Sequence, residues 1–178
     1  RQGCVCAVGS VQNVSEALGG SGYVIPWTVV AFFALPLVFT LFSGRTFCAA
    51  VCPLGAMQDL VILRPVRVPG WLERGLGVLP VLYLGLAVVW AATGSGYVIC
   101  RFDPFVGFFR LGAPPLMLAL GAVVLLVGLF VARPYCRYAC PYGVLLGWAS
   151  RVSSRHATIT PDECVECRLC EDACPFGA

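Results

Sequence analysis

The stretch FCAAVCPLGAMQD, residues 47–59, follows a long apolar run and sets two cysteines and a proline where a membrane helix would be expected simply to end. The same pattern returns in YCRYACPYGVLLG at 135–147 and in LCEDACPFGA at 169–178. All three read C-x-x-x-C-P-x-G-[AV], so one chemical device is used three times in a short chain.

What surrounds these motifs is membrane-like. Of 178 residues, 59% are apolar and 12% charged, and the mean hydropathy of +0.86 is far from that of a soluble domain. All 12 basic residues are arginines, giving a net charge of +3. No basic stripe interleaved with aromatics is present, so nucleic acid is not an expected partner. The lipid bilayer is. Three uncharged runs, Tyr23 to Phe42, Gly75 to Ala92 and Pro115 to Ala132, approach the roughly 20 residues a helix needs to cross a bilayer. Tyr23, Trp27, Trp90 and Tyr97 lie near the ends, where aromatic rings favour the interface. Pro36 and Pro80 are expected to kink their helices.

Arginines set the expected orientation. Residues 43–74 and 133–178 hold nine arginines against three elsewhere, so the positive-inside rule puts those two segments in the cytoplasm and residues 1–22 and 95–114 outside. A short repeat agrees with this layout: GSGYVI stands at 20–25 and again at 94–99, each copy followed by a span and a C-x-x-x-C-P motif. The expected fold is an all-α integral membrane protein of about three transmembrane helices in two parallel pseudo-repeats, ending in a ferredoxin-like segment. Its parts are an external segment (1–22), a transmembrane domain carrying both motifs (23–158) and the tail (159–178). Location in the inner (cytoplasmic) membrane, multi-pass, with the C-terminus in the cytoplasm, follows.

The tail carries the most specific signal. Cys164, Cys167, Cys170 and Cys174, followed by Pro175, form C-x-x-C-x-x-C-x-x-x-C-P. This is the bacterial ferredoxin run, in which three thiolates converge on one [4Fe-4S] cube while the fourth reaches another cluster. A zinc site is the competing reading, but zinc ribbons pair C-x-x-C units across a wide gap. The two membrane motifs repeat the second half of that run. Proline at a first helical position costs no hydrogen bond, and the helix N-terminus it opens favours a negatively charged cluster. Cys48, Cys52, Cys136 and Cys140, emerging on one face, then supply four soft ligands, the number an iron–sulfur cluster takes. Copper or zinc would accept the same thiolates, and plain packing of small apolar cysteines is the bland alternative. Haem is not expected: the one histidine, His156, lies outside every span, C-x-x-C-H is absent, and Met57 and Met117 are the only methionines.

FCAAVCPLGA, YCRYACPYG and CVECRLCEDACP, in this order and spacing, resemble the NapH/NosR-type membrane polyferredoxins. Those proteins carry two C-x-x-x-C-P motifs at the cytoplasmic face and a cytoplasmic ferredoxin domain. The resemblance runs from about residue 23 to the end of the sequence. Two departures stand out: the family usually has two complete ferredoxin runs where this sequence has one, and residues 1–22 hold no flavin attachment motif of the kind associated with NosR. The resemblance implies electron transfer between a quinone pool or a cytoplasmic donor and a partner redox subunit of a membrane complex.

No nucleophile, general base or nucleotide loop occurs in recognisable context, so any catalysis belongs to the cofactors or to a partner. A metal-reducing or cofactor-assembly ferredoxin is a second function class, and a structural membrane subunit with a zinc-bound tail a third. Asp162, Glu163, Glu166, Glu171 and Asp172 around the tail cysteines suit docking to a basic partner or simply keep the segment soluble. Cys4, Cys6 and Cys100 are expected outside, where two of them are able to form a disulfide. The insert CRFDPFVGFFR, 100–110, reads as an interfacial anchor, with a quinone or partner contact as the alternative.

Overall fold

A computed structural model of the chain describes residues 6–20, 22, 24–44, 46–63, 66, 68–103, 114–155 and 165. Among the described residues every regular element is a helix and no strand occurs. In chain order they are α1 (Ala7–Leu18), α2 (Trp27–Ser43), α3 (Thr46–Ala50), α4 (Pro53–Val61), α5 (Gly70–Leu76), α6 (Leu79–Ala92), α7 (Val98–Phe102), α8 (Pro115–Gly128), α9 (Pro134–Tyr138) and α10 (Pro141–Ser150).

The three apolar runs are helical but differ in length. α5 and α6 together make a 23-residue apolar stretch, Gly70–Ala92, long enough to cross a bilayer, whereas Trp27–Ser43 and Pro115–Gly128 are shorter. Each shorter helix has a physical stop. α2 starts only after Pro26, because the residue before a proline is pushed out of the helical region. α8 gives way after Gly128, and the carbonyls of Leu129 and Phe130 accept the backbone N–H groups of Leu63 (3.3 Å) and Val66 (2.7 Å). The two expected kinks resolve differently. Pro36 lies inside α2, and its carbonyl accepts the buried Thr40 hydroxyl at 2.8 Å. Pro80 falls instead in the first turn of α6, where a missing N–H costs nothing.

The repeated GSGYVI has a backbone reason. Gly20 (φ 77°) and Gly22 (φ 66°) in one copy, and Gly94 (φ 68°) and Gly96 (φ 135°) in the other, all take positive φ, a region that glycine enters without steric cost. Both glycines of each copy thus hold a conformation that other residues adopt only with strain. Beyond the turns the copies part: the first leads into α2, the second into the five-residue α7, whose Ile99 is fully buried.

A helix that no periodic signal announces fills the middle of the bundle. α1 packs mainly against α6 and α2, although Ser10, Gln12 and Asn13 on it are fully buried. Gln12 explains how a polar residue is accommodated there, because its Nε2 donates to the Ala87 carbonyl (3.4 Å) and its Oε1 accepts the Ile99 N–H (2.9 Å). Buried amides are tolerated when their bonds are made. Val8, Val11, Phe47, Leu84, Ala87, Ile99, Tyr142 and Leu146 form the core around it.

Candidate metal centre

The C-x-x-x-C-P motifs at 48–52 and 136–140 fold the same way. In the first, the N–H groups of Val51 and Cys52 both donate to the Phe47 carbonyl at 3.0 Å; in the second, those of Ala139 and Cys140 both donate to the Tyr135 carbonyl at 2.9 Å. Cys48 and Cys136 each lie within a five-residue helix, while Cys52 and Cys140 are the N-cap residues of α4 and α10, with Pro53 and Pro141 opening those helices. The motif's glycine lets the new helix fold back on the old one. A Cβ at Gly55 would stand 2.3 Å from the Cys48 carbonyl oxygen, and one at Gly143 would stand 3.3 Å from that of Cys136.

The two motifs cross over. α4 of the first packs on α8, the helix that leads into the second, while α10 of the second packs on α2, the helix that leads into the first. The Tyr142 hydroxyl donates to the Phe33 carbonyl at 2.7 Å, and the Ser154 N–H to the Leu41 carbonyl at 2.9 Å. This crossing brings the four cysteines together. Cys48, Cys52, Cys136 and Cys140 all line one cavity of about 300 Å³, with Ala7, Phe47, Tyr135 and Tyr142 among its walls. None of the four is joined in a disulfide, and all are of intermediate exposure.

Three side chains clamp the two motifs to each other. Gln58, fully buried on α4, accepts the Tyr135 N–H at 3.1 Å and donates to Cys136 Sγ at 3.3 Å. Asp59 forms a bidentate ion pair with Arg133, whose side chain is only 4% exposed. Arg133 also donates to the Cys48 carbonyl at 3.3 Å and holds the left-handed conformation (φ 49°) that turns the chain into α9. Also on α9, Arg137 pairs with Glu73 and lies over the Tyr138 ring at 5.4 Å.

Burial favours the protonated thiol at the two cysteines of the second motif. Burial pushes the Cys136 thiol up to about 12, helped by Cys52 and opposed by the Gln58 amide. Burial likewise holds the Cys140 thiol well above its usual value, although the Gly143 N–H bonded to it acts the other way. Since thiolate is the form that binds metal, the site suits a strongly cationic occupant that draws the protons off. Among the described residues no three Cys, His, Asp or Glu side chains close around a single ion. The four cysteines instead line one shared cavity.

Of the remaining cysteines, Cys6 caps α1, with its Sγ accepting the Gly9 N–H at 3.2 Å. It packs against the same core as Cys48, Cys52 and Cys140. The sequence reading sets it with Cys4 and Cys100 outside; its neighbours Ala7 and Val8 line the cavity that the four cysteines share. Cys164, Cys167, Cys170 and Cys174 lie outside the described residues, as does Cys4. Gln58, Asp59 and Arg133 escaped the sequence reading, although two of them stand in the opening stretch as the polar pair QD in an otherwise apolar helix.

A family of 4Fe-4S binding domains matches residues 25–78 and 113–160, which take in both C-x-x-x-C-P motifs, and a second 4Fe-4S binding domain matches residues 157–178. The chain belongs to the NapH/NosR-type family of 4Fe-4S binding proteins. Within that family it is 27% identical to YccM of Escherichia coli over 78% of this chain and 43% of that protein. Protein NirI of Paracoccus denitrificans is 33% identical over 78% of this chain and 22% of its own length, and the ferredoxin-type protein NapH of Haemophilus influenzae is 28% identical over 83% and 53%. The chain thus spans less than half the length of the first two relatives and about half of the third. No solved structure matches it.

Proposed function

We propose that this member of the NapH/NosR-type family is a membrane-bound iron–sulfur electron carrier in which Cys48, Cys52, Cys136 and Cys140 hold one [4Fe-4S] cluster between the two halves of the bundle. The observation that carries the reading is the convergence of four uncrosslinked cysteines, from two separate motifs, on one cavity. A cluster bound there supplies one-electron transfer. The protein's part is to hold four thiolates apart at fixed positions, to exclude water with Phe47, Tyr135, Tyr142 and Leu146, and to aim the N-termini of α4 and α10 at the negative charge.

Cys164, Cys167 and Cys170 are the ligands of a second [4Fe-4S] cluster in the tail, with Cys174 directed to another. The match of residues 157–178 to a 4Fe-4S binding domain supports this. Supporting a bilayer location is the apolar belt that the outer faces leave bare: Phe32, Leu35, Leu82, Val89, Leu116 and Leu126 are each between 49% and 65% exposed, a patch that water does not tolerate and lipid does. On this reading the chain crosses the inner membrane several times, with the cysteine end and residues 159–178 in the cytoplasm and the two GSG turns outside. It passes electrons between a quinone pool or a cytoplasmic donor and a partner redox subunit; the name of YccM proposes electron transport and that of NapH is ferredoxin-type.

The deciding experiment is the iron and acid-labile sulfide content of anaerobically purified protein, wild type against Cys164→Ser/Cys167→Ser/Cys170→Ser. Iron and sulfide in near-equal amount must remain in the triple variant and vanish when Cys52→Ser is added. A triple variant without iron, or with one zinc ion, sinks the membrane cluster.

A further inference from the structure

The Gln58 amide makes three bonds, and both of its N–H groups are committed. It is fully buried; its Oε1 accepts the Tyr135 N–H at 3.1 Å, and its Nε2 donates to the Leu54 carbonyl at 2.9 Å and to Cys136 Sγ at 3.3 Å. A backbone N–H is only a donor and a carbonyl only an acceptor, so these two neighbours fix which end of the amide is nitrogen. The sulfur therefore faces an N–H and not an oxygen. At the corresponding place in the second motif, six residues beyond its second cysteine, stands Leu146, buried at 2% exposure and with no N–H to offer.

We propose that Gln58 is a positioning residue that sets the reduction potential of the shared cluster, by an N–H···S bond delivered from the helix of one motif to a ligand of the other. The inference rests on the cluster assignment above and goes beyond it by naming the group that tunes it. Hydrogen bonds to cluster sulfurs are among the levers that set such potentials. Reduction adds negative charge to the cluster and its thiolates, so a donor aimed at Cys136 Sγ stabilises the reduced form and raises the potential. The bond is sheltered from water, where it counts for more than at a surface. It also comes from one motif alone, since Leu146 at the matching place offers no donor.

The test uses the full-length chain carrying Cys164→Ser/Cys167→Ser/Cys170→Ser, so that the tail does not contribute, with Gln58→Glu and Gln58→Leu added separately. The readout is the midpoint potential followed by electron paramagnetic resonance during a redox titration. Gln58→Glu keeps the side-chain length and the acceptor for Tyr135; Gln58→Leu removes the donor without adding charge. Both variants are expected to hold wild-type iron and to titrate lower, by at least tenfold in the reduction equilibrium, which is about 59 mV for one electron. In Gln58→Glu the potential should climb back as pH falls and a carboxyl O–H replaces the lost donor, whereas the parent stays flat. Unchanged midpoints in both variants overturn the proposal. So does loss of iron from both, since Gln58 would then be needed only to assemble the site. A parent lacking iron removes the cluster assignment itself, a failure visible before either variant is made.

Discussion

The stretches 47–61 and 135–150 share one backbone and differ in what their side chains do. Each has the same double bond to the carbonyl of an aromatic residue, the same cysteine N-cap and the same proline at the first helical position. After the shared C-P-x-G the first continues with Gln58 and Asp59, the second with Leu146 and Gly147. The first thus reaches across to hold Tyr135, Cys136 and Arg133 through polar bonds, while the second packs its leucine into the apolar core. Backbone geometry places the thiols; the unequal side chains decide how the halves are joined.

The largest expected effect treats the halves as equals. Cys52→Ser and Cys140→Ser should each remove the same spectroscopic signal and all iron outside the tail, because each deletes one of four ligands to a single centre. Metal analysis of the Cys164→Ser/Cys167→Ser/Cys170→Ser background shows this directly. Half the iron surviving either substitution would mean that each motif binds its own metal.

A smaller effect should separate them. Asp59→Asn leaves the Arg133 guanidinium inside the protein without its countercharge. Removing one partner of a buried pair costs about 3–5 kcal/mol, and because the Asp59 side chain is itself 39% exposed the lower end, about 3 kcal/mol, is expected. Thermal melting in detergent measures it. The second motif has only Gly147 at that place, so no counterpart substitution carries such a cost.

How much of this was legible in the sequence follows the same division. Pro53 and Pro141 announced the starts of α4 and α10 because that rule is local, and the four cysteines announced themselves by spacing. The polar clamp could not be read, since nothing within residues 47–59 says that Asp59 will meet an arginine after the third apolar run. α1 was missed for a related reason: Ser10, Gln12 and Asn13 break the apolar stripe that a buried helix normally displays. Gln12 is acceptable there only because Ala87 and Ile99, distant in sequence, complete its bonds. With α1 unforeseen, the approach of Ala7 and Val8 to the cysteine cavity could not be read either. The helical class was evident from composition, while the lengths of α2 and α8 depended on Pro26 and on pairing with Leu63 and Val66.

The motif glycines give a third, finer contrast. In Gly55→Ala the new Cβ would meet a backbone oxygen at 2.3 Å, which cannot be relieved by a side-chain rotation, while in Gly143→Ala the contact is 3.3 Å. Overpacking of the first kind costs about 1–3 kcal/mol, against a helical gain from alanine of about 0.5–1 kcal/mol. Gly55→Ala should therefore melt lower and lose iron on storage, and Gly143→Ala should stay near the parent. Equal losses would show that the two backbones are held equally tightly.

The smallest effect belongs to the other arginine of the second motif. Arg137 pairs with Glu73, and the two side chains are 14% and 36% exposed, against 4% and 39% for Arg133 and Asp59. The guanidinium of Arg137 also rests on the Tyr138 ring, so it keeps a favourable neighbour when the carboxylate is gone. Exposed pairs contribute about 0–1 kcal/mol; this one is only partly exposed, and with the ring contact kept, Glu73→Gln should lower stability by about 1 kcal/mol, the top of that range. The difference should shrink further when salt is raised to about 1 M, where screening acts over about 3 Å. The Asp59→Asn deficit, set by a guanidinium sealed inside the protein, should persist at the same salt. If instead Glu73→Gln proved as costly as Asp59→Asn, and equally insensitive to salt, the second motif would be clamped from both sides, and the first would lose its special part in holding the halves together.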